Sequence, residues 1–176
     1  MELPGKKWAR LTSSDNYFED FEVGQVIRHS RGKTIEPIEN VLITNLVMNT
    51  AQGHFNEHAM SNSQFKQRIS YGGVNFSIIM GLASQDTCEN ALTELGLDNI
   101  RLLTPVFHGD TLYAYSEVLS KSDGPQEDAG IIVFRHYGVN QDDKQVFEGD
   151  RRVLIKRRSH WGDTSEHKLD LSIAKA

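Results

Sequence analysis

Along this chain the spacing of apolar positions changes period near the middle. From Glu36 to about Asp86 the apolar residues recur at helical intervals. After Gly96 they alternate at period two. The stretch "EPIENVLITNLVMNTAQ" predicts a first helix, with Pro37 suited to the opening turn and Glu36 and Glu39 near its positive end. Leu42, Leu46 and Asn49 then fall on one face. That face would carry the Asn49 amide toward the core or a pocket, unless Asn49 merely closes the helix in solvent. The pair Gly72-Gly73 breaks the chain, and a long apolar segment follows. Val74, Ile78, Ile79 and Leu82 share a face that Phe76 and Met80 widen, so this helix is expected to be apolar nearly all round and wrapped by other elements. Asn75 and Ser77 lie in its first turn, where short polar side chains cap.

Five segments read as strands. Gln25 to Ile35 alternates weakly. "NIRLLTPV", "TLYAYSEVLS", "GIIVFRHYGV" and "KQVFEGDRRVLIK" alternate well and are separated by turn signals at His108–Asp110, Ser122–Gly130 and Asn140–Lys144. Gly149 within the last suggests a bulge. Short turns between successive strands imply antiparallel pairing. Helices followed by a run of strands make an α+β arrangement, with the sheet curled around the long helix. The exposed edge and broad apolar face of such a sheet invite a second copy, as a homodimer or a higher homo-oligomer. The layout is a polar arm over residues 1–16, one domain over 17–158 and a polar tail over 159–176.

Composition narrows the function. The 176 residues are 38% hydrophobic and 24% charged, enough for one ordinary core and too apolar for a disordered chain. A formal net charge of -5 argues against nucleic acid as a partner, which needs a concentrated excess of Lys and Arg. No apolar run approaches the ~18 residues of a membrane-spanning helix, and "MELPGKKWARLTSSDNYFEDF" carries no secretory h-region. With Cys88 as the only cysteine, no internal disulfide can form. The expectation is a cytoplasmic protein that touches no membrane.

The candidate chemistry is in "MNTAQGHFNEHAM", where an amide, Asn49, precedes an imidazole, His54, by five residues, and Glu57 and His58 follow. His54 and His58 have the spacing of two metal ligands on a helix, but no third ligand completes a set, so no metal is expected. Imidazole is the side chain suited to general acid–base work near neutral pH.

Four stretches, taken in order, resemble the MaoC-like dehydratases, a hotdog-fold family that includes the (R)-specific enoyl-CoA hydratases. They are "YFEDFEVGQVI", "NTAQGHFN", "ISYGGVNFSIIMGLA" and "TPVFHGDTL". The wording around "NTAQ-HF" is also similar to a subgroup related to mesaconyl-CoA hydratases. The resemblance implies a hydratase or dehydratase acting on an acyl-CoA thioester, with coenzyme A entering as part of the substrate and no separate cofactor. It implies His54 as the base, and Gly72 as the glycine whose backbone amide receives the thioester oxygen. Gly73, Asn75 and Ser77 are expected to bind substrate. The chain departs from the family at one point: the family's catalytic Asp falls on Asn49, and its second acid falls on Asn56. An amide exchanges no proton at neutral pH, so Asn49 is expected to hold the attacking water while His54 moves both protons. Glu57 is the nearby carboxylate that could restore a pair, but its place after the His turns it the wrong way. Lys66, Arg68, Arg151 and Arg152 are candidates for the coenzyme A phosphates by sign alone.

Two other readings remain open. A thioesterase of the same fold would need a carboxylate on the long helix, for which Asp86 and Glu89 stand near its end. A non-catalytic acyl-CoA-binding protein would explain the missing Asp.

Overall fold

The computed structural model describes residues 16–162. The arm expected over 1–16 lies outside them save for Asn16, and the tail save for its first four residues. Asn16 is tied down: its Nδ2 donates to the Asp86 carbonyl at 2.8 Å, and its own carbonyl accepts from Asn90 Nδ2 at 3.1 Å.

The elements are β1 (Val26–Thr34), α1 (Pro37–Leu46), α2 (Glu57–Ser61), α3 (Gly72–Cys88), β2 (Ala91–Leu102), β3 (Thr111–Asp123), β4 (Ala129–Val139), β5 (Gln145–Lys156) and α4 (Arg158–Trp161). All five strands join one sheet in the order β1-β3-β4-β5-β2, and every pairing is antiparallel. The sheet curls around α3, which packs on β1, β3, β4 and β5. This is the α+β arrangement that the change of period predicts.

Two apolar clusters form the core. Phe18, Phe21, Ile27, Val118, Ile132, Phe134, Val153 and Ile155 make one. Ile35, Val74, Ile79, Val106, Leu112, Ala114, Val146 and Phe147 make the other, nearer the start of α3. A polar chain also crosses the interior. Asp86 Oδ2 lies 2.6 Å from His29 Nδ1, His29 Nε2 lies 2.7 Å from Ser116 Oγ, and Ser116 Oγ lies 2.7 Å from His136 Nδ1. The last nitrogen, His136 Nε2, is buried with no partner among the described residues.

The structure corrects four expectations. First, β2 begins at Ala91, eight residues before the segment that alternates cleanly, because three register shifts against β5 scramble its period. Second, Gly149 is not itself bulged. It pairs regularly with His136, and the extra residue is on β2, where Asn99 at φ 54° and Ile100 stand between the paired Asp98 and Arg101. Gly149 instead leaves room for the Phe147 ring, which a Cβ would meet at 2.9 Å. Third, α3 is not buried all round, since Ser77, Gly81 and Gln85 form an exposed stripe one turn apart. Fourth, α1 presents its apolar face outward. Leu42 and Leu46 are 53% and 81% exposed in the single chain, while Asn40 and Thr44 are the buried residues.

Candidate active site

The site is built where the turn after α1 meets the start of α3. Helix α1 ends at Leu46, and Met48, at φ 55°, reverses the chain. Asn49 N donates to the Thr44 carbonyl at 2.8 Å, and Asn49 Oδ1 accepts from Ala51 N at 3.0 Å. This small polar turn leads into one turn of 3-10 helix over Gln52–His54. Asn56 then caps α2 by accepting from Ala59 N at 3.0 Å.

His54 is oriented by backbone. Its Nδ1 lies 3.1 Å from the Ile69 carbonyl oxygen. A carbonyl only accepts, so Nδ1 carries the proton and Nε2 presents a lone pair. The ring also packs against Tyr71, with centroids 5.4 Å apart.

Facing it is the N-terminus of α3. Tyr71 caps the helix in extended conformation, and its carbonyl accepts from Val74 N and Asn75 N at 2.9 and 3.2 Å. Among the described residues the amides of Gly72 and Gly73 have no partner, as the first donors of a helix often do not. Both glycines leave room for neighbouring side chains. A Cβ at Gly72 would strike the end of the Leu102 side chain, and one at Gly73 the Tyr71 ring. Asn75 is 5% exposed; its Oδ1 accepts from Ser70 Oγ at 2.7 Å, which leaves its NH2 without a partner among the described residues.

These groups line one cavity of about 510 Å³, walled by His54, residues 69–73, Asn75 and residues 102–106, which run from the last residue of β2 into the loop after it. Of the residues expected from sequence, His54, Gly72, Gly73 and Asn75 therefore share a single space. Ser77 is exposed and lies outside it. Asn49 is not in its wall either, and the carbonyl that was expected to hold water caps the turn to Ala51 instead. Glu57 is paired with Arg68 at 2.7 Å. The two candidates for the carboxylate that a thioesterase would need are elsewhere: Asp86 is bound to His29, and neither Asp86 nor Glu89 lines the cavity. Three of the four cations considered for phosphate are paired, Arg68 with Glu57, Arg151 with Glu94 at 2.8 Å and Arg152 with Asp98 at 3.8 Å. Lys66 is exposed and makes no ion pair among the described residues.

Sequence reasoning missed Asn40, Tyr71 and the Leu102–Val106 wall. Asn40 had a signal, being a polar residue one turn before Thr44 inside an apolar stretch. Tyr71 and residues 104–106 lie inside stretches that carry the family resemblance, but nothing in the sequence marked them as site residues, because the 102–106 segment joins the site only when the sheet folds back over α3.

Comparison with known proteins agrees with this geometry. The sequence profile of the mesaconyl-CoA hydratase family matches residues 5–157. A beta-methylmalyl-CoA dehydratase from Chloroflexus aurantiacus is 36% identical over 163 residues, spanning 83% of this chain and 46% of its own length. The crystal structure of a MaoC domain protein from Chloroflexus aurantiacus superposes with a TM-score of 0.76 at 34% identity, over 82% of this chain and 45% of that one. A Mycobacterium tuberculosis protein with a double hotdog fold superposes at 0.74 with 20% identity, over 90% of this chain and 49% of that one, a likeness of fold alone. The chain spans less than half the length of the mesaconyl-CoA hydratases and the beta-methylmalyl-CoA dehydratase that it matches. The sheet wrapped on α3 is thus a hotdog fold, and the chain belongs to the mesaconyl-CoA hydratase family of MaoC-like proteins.

Proposed function

We propose that this domain adds water to, or removes it from, a 2-enoyl-CoA or related acyl-CoA thioester. The observation that carries the reading is that His54 Nε2, free to take a proton, shares one cavity with the amides of Gly72 and Gly73, which have no partner among the described residues. In the hydration direction, water gives a proton to His54 Nε2 as its oxygen bonds to the β-carbon. The double-bond electrons move toward the α-carbon and onto the thioester oxygen, which the glycine amides receive as it gains charge. The imidazolium then returns its proton to the α-carbon, so one ring serves both transfers on one face and no carboxylate is required. The NH2 of Asn75 is a further donor at the cavity wall. Asn49 contributes the turn that delivers His54.

A second hotdog module covers the apolar surface that this chain leaves open, and we take a second copy as its occupant. Of the two edge strands of the sheet, β1 and β2, it is β2 that exposes Leu92, Leu95, Leu97 and Ile100, and α1 exposes Leu42 and Leu46. Each such side chain contributes about 1.5–3 kcal/mol when fully buried.

The test is loss of the enoyl-thioester absorbance of mesaconyl-CoA and crotonyl-CoA. His54→Ala is expected to lower kcat by about 10²–10⁴-fold while the protein stays folded. Turnover unchanged in that variant would falsify the assignment. Release of free thiol with the enoyl absorbance intact selects a thioesterase instead.

A further inference from the structure

We infer that Asn40 is a positioning residue that holds the base and the oxyanion glycine in register, an inference that rests on His54 and Gly72 having the roles proposed above. Asn40 is fully buried on α1, is not itself part of the cavity wall and belongs to none of the motifs that marked the site. Its carboxamide is nevertheless the joint between the two halves. Nδ2 donates to the carbonyl of His54 itself at 2.6 Å, and more weakly to the Ile69 carbonyl at 3.4 Å. That Ile69 oxygen is the one that accepts from the His54 ring. Oδ1 accepts from Tyr71 N at 2.7 Å, the residue that caps α3 immediately before Gly72.

One planar group therefore fixes the backbone of the base, the acceptor that sets its tautomer, and the approach to the amides that would receive the substrate oxygen. Every atom that hydrogen-bonds the side chain is backbone, so the clamp does not depend on side-chain rotamers elsewhere. Asn40 is in turn seated by Thr44, whose Oγ1 donates to the Asn40 carbonyl at 2.7 Å. Asparagine is the residue that fits. The joint needs a donor toward two carbonyls and an acceptor toward one N–H, and a carboxylate or an aliphatic side chain supplies only part of that set. Displacing a base by about 1 Å can cost on the order of 10²-fold in rate without altering substrate binding elsewhere.

The experiment compares Asn40→Leu and Asn40→Asp with the unaltered full chain. For Asn40→Leu, kcat is expected to fall about 100-fold with KM within about threefold. Asn40→Asp is more diagnostic. As a carboxylate the new group faces two carbonyl oxygens; as a neutral carboxyl it donates to one of them and still accepts from Tyr71 N. Its kcat should therefore approach that of the unaltered chain toward pH 5 and fall about tenfold per unit above the new group's pKa, a limb that the unaltered chain lacks. Because the same folded sample is read at two pH values, the comparison survives if Asn40→Leu does not fold. A readout independent of turnover is the ¹⁵N spectrum of the His54 imidazole, assigned by its loss in His54→Ala. A single Nδ1–H tautomer is expected in the unaltered chain, with a mixture or a change in Asn40→Asp at high pH. A pH profile parallel to that of the unaltered chain, together with an unchanged tautomer, overturns the inference. If neither the unaltered chain nor His54→Ala hydrates enoyl-CoA, the functional reading fails, and the imidazole spectra still decide whether Asn40 positions the ring.

Discussion

Burial of His136 should make this fold sensitive to mild acid, by an amount the structure sets. The ring is fully buried beneath α3, stacked on Phe134, with its Nδ1 on Ser116 Oγ and its Nε2 unpartnered. A bare lone pair costs less there than an orphaned N–H. The consistent arrangement has His136 Nδ1–H donating to Ser116, the Ser116 hydroxyl donating to His29 Nε2, and His29 Nδ1–H donating to Asp86. Protonating His136 would place a charge where desolvation above all opposes it and where Arg151 repels it, so its pKa is pushed down to about 3 from an ordinary value of 6.5. The unfolded chain takes the proton first. A lowered folded pKa therefore means stability that is fully present above about pH 6.5 and is lost as pH falls toward 3. At pH 5 the loss is about 2 kcal/mol, since each unit below the unfolded pKa contributes about 1.4 kcal/mol. The native ring is neutral at pH 5, so the whole of that loss is proton uptake by the unfolded chain.

The assay is urea unfolding at pH 8, 7, 6 and 5 for the unaltered chain and His136→Leu. Leucine has similar volume, removes the titrating ring and leaves Ser116 its bond to His29, so the variant is expected within about 2 kcal/mol of the unaltered chain at pH 8. The gap between the two should then shift in the variant's favour by about 2 kcal/mol on going to pH 5. Other groups cancel in the comparison. Asp150, held below the usual carboxylate range mainly by its hydrogen bonds from Arg135, loses its contribution at lower pH, beneath about 4. Parallel pH dependences for the two proteins would refute the reasoning.

Three further outcomes follow from the site and its surroundings. Asn49→Asp keeps an acceptor for Ala51 N, so the fold should be unaffected and hydration of mesaconyl-CoA retained or raised; complete loss of turnover would show that the amide is needed for its own geometry. Gly72→Ala forces the Leu102 side chain to shift into the cavity, and kcat should fall roughly 10–100-fold with little change in thermal unfolding, measured by initial rates and calorimetry. Leu46→Lys with Leu97→Lys places charge on the open apolar surface, and sedimentation should change from a multimer to a single chain; an unaltered sedimentation coefficient would remove that surface from the interface.

How much of this could be read beforehand depends on how local each cause is. The change from period 3.6 to period two is a local property of the chain, so α3 and strands β3 to β5 were legible, as was the α+β arrangement. The spacing of His54 and the glycine pair survives any folding, which is why the residues that share the cavity could be named from "QGHF" and "SYGGVN". Periodicity failed where a neighbour decided the outcome. Strand β2 hid its alternation because its register is set by β5 through bulges, and α1 turned its leucines outward because its buried partners, His54 and the Ile69–Tyr71 segment, ask for the amide of Asn40. Asn49 lost its expected place for a similar reason, since Ala51 N two residues away claimed its carbonyl. Hydrophobic pattern counts what water rejects. Hydrogen bonds between segments far apart in sequence depend on positions that only the closed sheet around α3 supplies, and those bonds decide which groups at this site are fastened and which are left free to react.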